Sequence, residues 1–145
     1  MQDQRLVNRL QNYWDLIRRG KSMPNFSQFN PSTIDDLWAH CMVLSVAPTQ
    51  NGRRYMYSYV GDALVQMFGS NLLGSAVDSK AVNYPFSVII KMLDATYEQG
   101  KVATDQNQII NDKGKIIKYR ACFLPFGTEG RGITHFVVGI SDKQF

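Results

Sequence analysis

Residues 54–69 read RYMYSYVGDALVQMFG, and the fold turns on a change of rhythm inside them. Tyr55, Tyr57 and Tyr59 recur at every second position, which describes a strand with one aromatic face. Beyond Val60 the pattern becomes helical: Asp62 can cap a short helix over Ala63–Phe68 that Gly69 and Gly74 stop. Upstream, Cys41–Ala47 is a compact apolar run closed by Pro48, and Thr49-Gln50-Asn51-Gly52 carries an Asn-Gly turn signal. The two runs therefore read as a hairpin that feeds a short helix.

Further out, Leu6, Leu10, Tyr13, Trp14 and Ile17 recur at three- and four-residue steps, the stripe of an amphipathic helix. Gly20 ends it, and Pro24 and Pro31 forbid its continuation. Two large aromatics on the stripe must cover something, either this chain's own sheet or a second copy of the helix. Ser32-Thr33-Ile34-Asp35 reads as the start of one or two helical turns through Leu37 and Trp38. Downstream, Pro85–Gln99 reads as a longer helix with Val88, Ile89, Met92 and Leu93 on one side. Strands follow over Lys101–Ile110, Ile116–Leu124 and Ile133–Ser141, with Phe126–Gly132 as a loop. Five antiparallel strands with helices inserted after the second make an α+β fold. The expected division is a helical extension over 1–36 and a sheet domain over 37–145.

Composition narrows the functions. Hydrophobic residues are 44% and charged ones 19%, which places the chain among globular domains rather than disordered ones. No apolar run approaches the roughly 20 residues of a membrane helix, so no membrane insertion is expected. MQDQRLVNRLQ has no apolar core, so no secretory signal is expected either, and a cytoplasmic location is. Cys41 and Cys122 sit in apolar strand segments and read as buried thiols, with a bridge between them left open. The net charge is +4, and it is local: residues 1–21 and 101–120 each net +3. Solvated surface charge is the plain reading, and weak nucleic-acid or nucleotide-phosphate binding by these two segments is the alternative.

The segment Tyr57–Gly69, followed by Leu72-Leu73-Gly74, resembles the PAS domain family, in which an aromatic-rich strand runs into a short helix ending in Phe-Gly. The helix Tyr13–Gly20, Met23-Pro24 and the late Phe123-Leu124-Pro125 strand end are similar to a bacterial PAS subfamily. The resemblance implies a five-stranded antiparallel sheet around a small helix-covered cavity, used to sense ligands or pair with proteins. It implies cytoplasmic signalling and frequent homodimers, and does not imply catalysis. No output segment is expected after the last strand, so the signal should pass to an unidentified signalling protein.

Haem-binding relatives supply a histidine from the long helix, but the histidines here are His40 and His135, at the first and last strands. Flavin relatives need a reactive cysteine in an Asn-Cys-Arg-like helix, which is missing. Neither clustered metal ligands nor a hydrolase, redox or phosphate-loop motif is present, so no cofactor, no metal and no enzyme activity are expected. Asp35-Asp36 reads as an acidic first turn and not as an acid/base pair. Alternation puts Tyr57 and Tyr59 on one face, which the resemblance turns toward the cavity. Met67, Phe68, Ile89, Met92 and Leu93 would complete an apolar wall. Any ligand is expected to be small and mainly apolar. The stripe Leu6, Leu10, Tyr13, Trp14 and Ile17 is expected to form the homodimer contact.

Overall fold

A computed structural model describes residues 2–77, 86–111, 113–128 and 130–143. Helix α1 (Gln2–Ile17) leads through two 3-10 segments, Phe26–Gln28 and Pro31–His40, into strands β1 (Cys41–Thr49) and β2 (Gly52–Val60). Helices α2 (Asp62–Phe68) and α3 (Phe86–Gln99) precede strands β3 (Ala103–Ile110), β4 (Ile116–Thr128) and β5 (Gly132–Lys143). The five strands form one antiparallel sheet in the order β2-β1-β5-β4-β3. This is the expected α+β architecture. Pro85, where the sequence starts the long helix, lies outside the described residues.

Both faces of the sheet are covered. On the outer face Leu6, Val7, Leu10, Tyr13 and Trp14 of α1 share a core with Cys41, Val43, Cys122, Leu124, Phe126 and Val137. Ile17 packs at its margin. The stripe expected to join two copies therefore covers the sheet of its own chain, and the homodimer contact through it is corrected. The physical reason lies in β4 and β5: residues 121–127 and 136–140 are buried without alternation, so each of these strands needs a layer on either side. Residues of the expected 1–36 extension and of the sheet thus share one core.

The approach of α1 depends on a row of small residues. Cys41, Gly139 and Cys122 lie side by side across β1, β5 and β4. A methyl group added at Gly139 would lie 2.1 Å from Leu10 Cδ1, so the glycine makes the space that Leu10 fills. Two strand spacings separate the cysteine backbones, about 9–10 Å, beyond the roughly 7 Å that a disulfide bridges. Both are free, buried thiols. Burial pushes Cys41 well up, with the nearby Cys122 adding to it, and pushes Cys122 up to about 12. Neither is expected to react with a thiol reagent in the native state at mildly alkaline pH, and both should react in urea; fast native labelling would contradict this packing.

Three local expectations need correction. Strand β4 does not stop at Pro125 but runs to Thr128, so much of the expected 126–132 loop is ladder. Proline is tolerated because β3 pairs with β4 only as far as Phe123, which leaves the far half of β4 an edge on that side. The N-terminal connection covers this edge: Trp14 Nε1 donates to the Pro125 carbonyl at 2.7 Å, and Gly127 N donates to the Pro24 carbonyl at 2.9 Å. Asp62 is the first residue of α2 and not its cap, a position that Gly61 holds without a side-chain bond. The turn expected from Ser32 starts at Pro31, because the Asn30 side chain accepts from Ser32 N.

Candidate functional site

The inner face of the sheet, roofed by α2 and α3, is where the candidate residues converge. Tyr57, Met67, Phe68, Ile89 and Leu93 are buried in one core with Tyr55, Tyr119, Phe123 and Phe136, and Met92 packs partly buried against it. Tyr59 is elsewhere. Val43 pairs with Tyr59 but Leu44 pairs with Tyr57, so Ser58 is an extra residue in the ladder. That β-bulge cancels the two-residue rhythm and sends Tyr57 and Tyr59 to opposite faces. Tyr59 stacks on Trp38 at 4.1 Å between ring centroids, and its hydroxyl donates to the Trp38 carbonyl at 3.1 Å. It belongs to an outer aromatic group with Phe26, Phe29 and Phe126, where His135 stacks on Phe26 at 3.9 Å. Burial there lowers the imidazole's affinity for a proton.

Tyr55 keeps to the inner face with Tyr57. It is 2% exposed, and its hydroxyl lies 2.5 Å from Asp94 Oδ1 on α3. Arg53 Nε donates to the same hydroxyl at 2.8 Å. The Arg53 guanidinium also reaches Glu98 at 3.2 Å and lies 3.9 Å above the Tyr97 ring. These contacts tie strand β2 to α3 over about one helical turn, from Asp94 to Glu98. The unbroken alternation Arg53-Tyr55-Tyr57 was the sequence signal for this group; it holds up to the bulge. Beside it a groove of about 460 Å3 is lined by Arg53, Tyr55, Val77 and Ile90. Tyr55 and Val77 also belong to the inner core, so the groove reaches the core's margin.

The electrostatics of this face are those of neutral donors. Burial holds the Tyr55 hydroxyl far above the usual range, and the bond to Asp94 raises it further. Burial does the same for Tyr119, helped by the charge of Asp105. Both stay protonated at any physiological pH, and the buried inner core contains no ionised side chain among the described residues. Such a surface suits an apolar molecule with one or two polar atoms. It does not suit the flavin-cysteine chemistry of photoreceptors, since both thiols lie on the opposite face under α1. No group of three metal-ligating side chains occurs among the described residues.

The basic segments are partly engaged within the chain. Arg9 forms an ion pair with Asp36, and Arg18 donates to Asp15 at 2.6 Å and to the Lys21 carbonyl at 2.7 Å. Asp36 thus joins the 3-10 segment to α1. No described helix is long and apolar enough to cross a membrane.

A PAS domain family model matches residues 2–140, from the start of α1 into β5. No curated protein matches the chain by sequence. Among solved structures, the light-oxygen-voltage domain of a blue-light-activated histidine kinase from Erythrobacter litoralis superposes with a TM-score of 0.53 at 12% identity, over 72% of this chain and 95% of that one. The dark-state light-oxygen-voltage domain of the photoreceptor Aureochrome1 superposes with a TM-score of 0.55 at 8% identity, over 78% of this chain and 81% of that one. At these identities the likeness is one of fold.

Proposed function

The chain belongs to the PAS domain family, and on that premise we propose that it is a sensory and protein-interaction module without catalytic activity. It acts through a partner protein of a bacterial signalling pathway in the cytoplasm. Its input is a small, mainly apolar molecule held between α3 and the inner face of the sheet. The observation that carries the reading is the convergence of Tyr57, Tyr119, Met67, Phe68, Ile89 and Leu93 in one core facing α3. Hydroxyls that stay neutral can orient a single polar atom of a ligand, while aliphatic and sulfur-bearing side chains take the remainder. Self-association, which the family resemblance implies, would use a surface other than the buried α1 stripe.

Native mass spectrometry of the purified chain tests this. A retained small molecule, lost on denaturation, is the expected result. Tyr57→Phe removes one donor without emptying the site and should weaken that ligand by about 0.5–1.5 kcal/mol. A visible absorption band in the pure protein would contradict the proposed ligand class. A chain that carries no ligand and takes up none would overturn the sensing half of the reading.

A further inference from the structure

We propose that a basic groove between α2 and the β3–β4 hairpin docks an acidic, amphipathic segment of a partner protein; the inference rests on the interaction role proposed above. The groove encloses about 1070 Å3, with Gln66 and Met67 of α2 on one side and Lys113, Lys115, Ile116 and Lys118 of the hairpin on the other. Asp142 is the one described carboxylate in its wall. Lys113 and Lys115 are exposed and make no ion pair among the described residues. Ile116 is 55% exposed, and its cross-strand partner Ile110 is 57% exposed. Two large apolar side chains side by side at a hairpin tip, beside the exposed Lys113 and Lys115, are the two halves of an amphipathic recognition surface.

The hairpin is held in place from beneath. Asn111 is buried, and its Oδ1 accepts from Lys113 N and Lys115 N, each at 3.0 Å. Its Nδ2 donates to the Met67 carbonyl at 3.3 Å, which fixes the turn to the end of α2. Both walls are thus joined by one side chain, and little ordering remains for a partner to impose. Charge decides the occupant. A second copy would set these lysines against lysines on a chain of net charge +4, whereas carboxylates on a partner would meet them. A nucleic acid would satisfy the lysines but would have no use for Ile110 and Ile116.

The test is fluorescence anisotropy on the full chain with a labelled Glu/Leu peptide of helical amphipathic spacing. Polyglutamate of equal length and single-stranded oligodeoxythymidine serve as competitors. Saturable binding that weakens with salt is expected, with zero-length carbodiimide cross-links falling on Lys113 or Lys115. Lys113→Glu with Lys115→Glu should lower affinity about tenfold or more, and Ile116→Ser about fivefold. A Lys113→Gln, Lys115→Gln pair gives the same direction should charge reversal disturb the hairpin, and unchanged thermal melts establish that each variant is folded. Absence of saturable binding, indifference to the lysine substitutions, or tighter binding of the oligonucleotide than of the peptide each overturns the proposal. Retention of the core ligand is measured separately, so a failed groove and a failed sensor give different patterns.

Discussion

Deletion of residues 1–20 is expected to leave the chain insoluble or unfolded. Helix α1 buries Leu6, Val7, Leu10, Tyr13 and Trp14, of which Leu10 is wholly buried. Each large apolar side chain fully withdrawn from water contributes about 1.5–3 kcal/mol. Five of them represent on the order of 10 kcal/mol, comparable with the whole stability of an ordinary domain. The deletion would also uncover Cys122, Leu124, Phe126 and Val137, an apolar patch in the middle of a sheet. The bond from Trp14 to the Pro125 carbonyl and the ion pair from Arg9 to Asp36 would go with it. Expression in the soluble fraction, followed by circular dichroism and urea melts, checks this. A truncated chain that stays soluble and melts like the full one would show that α1 is an accessory and not a layer of the fold. Trp14→Ala is the single-residue version, with an expected loss of about 3–5 kcal/mol.

Gly61→Ala is expected to be the most damaging methyl group that can be added near α2. A Cβ there would lie 2.2 Å from the Ala39 carbonyl oxygen and 2.5 Å from its carbon. The obstacle is backbone, which cannot swing aside as a side chain can. Gly61 N also donates to the Cys41 carbonyl at 2.9 Å, so the strand end, the 3-10 segment and the start of α2 meet at this one residue. The cost should fall at or beyond the upper end of the about 1–3 kcal/mol typical of overpacking. Gly139→Ala is the informative comparison, since there the obstacle is the Leu10 methyl and the helix can shift. Urea denaturation of the two variants should rank Gly61→Ala as the less stable, and the opposite order would mean that α1 is held more rigidly than the strand-to-helix turn.

The two predictions mark where local pattern was enough and where it was not. Element type and order were legible, because the two-residue rhythm before Val60, the helical rhythm after it and the Gly and Pro breaks are properties of adjacent residues. The extent of β4 was not. Pro125 looks like a strand end, and only the absence of a β3 partner beyond Phe123 makes it acceptable within the ladder. The candidate site divided in the same way. Tyr57, Met67, Phe68, Ile89 and Leu93 do face one core, but a single extra residue at Ser58 carried Tyr59 to the other face. No feature of the Tyr-Ser-Tyr spacing announces a bulge, since a bulge is a mismatch between two strands and is written in neither alone.

By itself the sequence determined the α+β class and the helix stripe, because hydrophobic periodicity acts over a few residues. Tertiary structure decided what the stripe covers. Leu6, Leu10, Tyr13, Trp14 and Ile17 would suit a partner helix or a sheet equally well, and burial of apolar area has no direction. The choice came from the row Cys41, Gly139 and Cys122, three small side chains from distant parts of the chain that open a trough where Leu10 fits. The Arg53–Tyr55–Asp94 group and the lysine groove belong to the same category. Each exists only once the sheet has brought residues forty or more positions apart to within hydrogen-bonding reach.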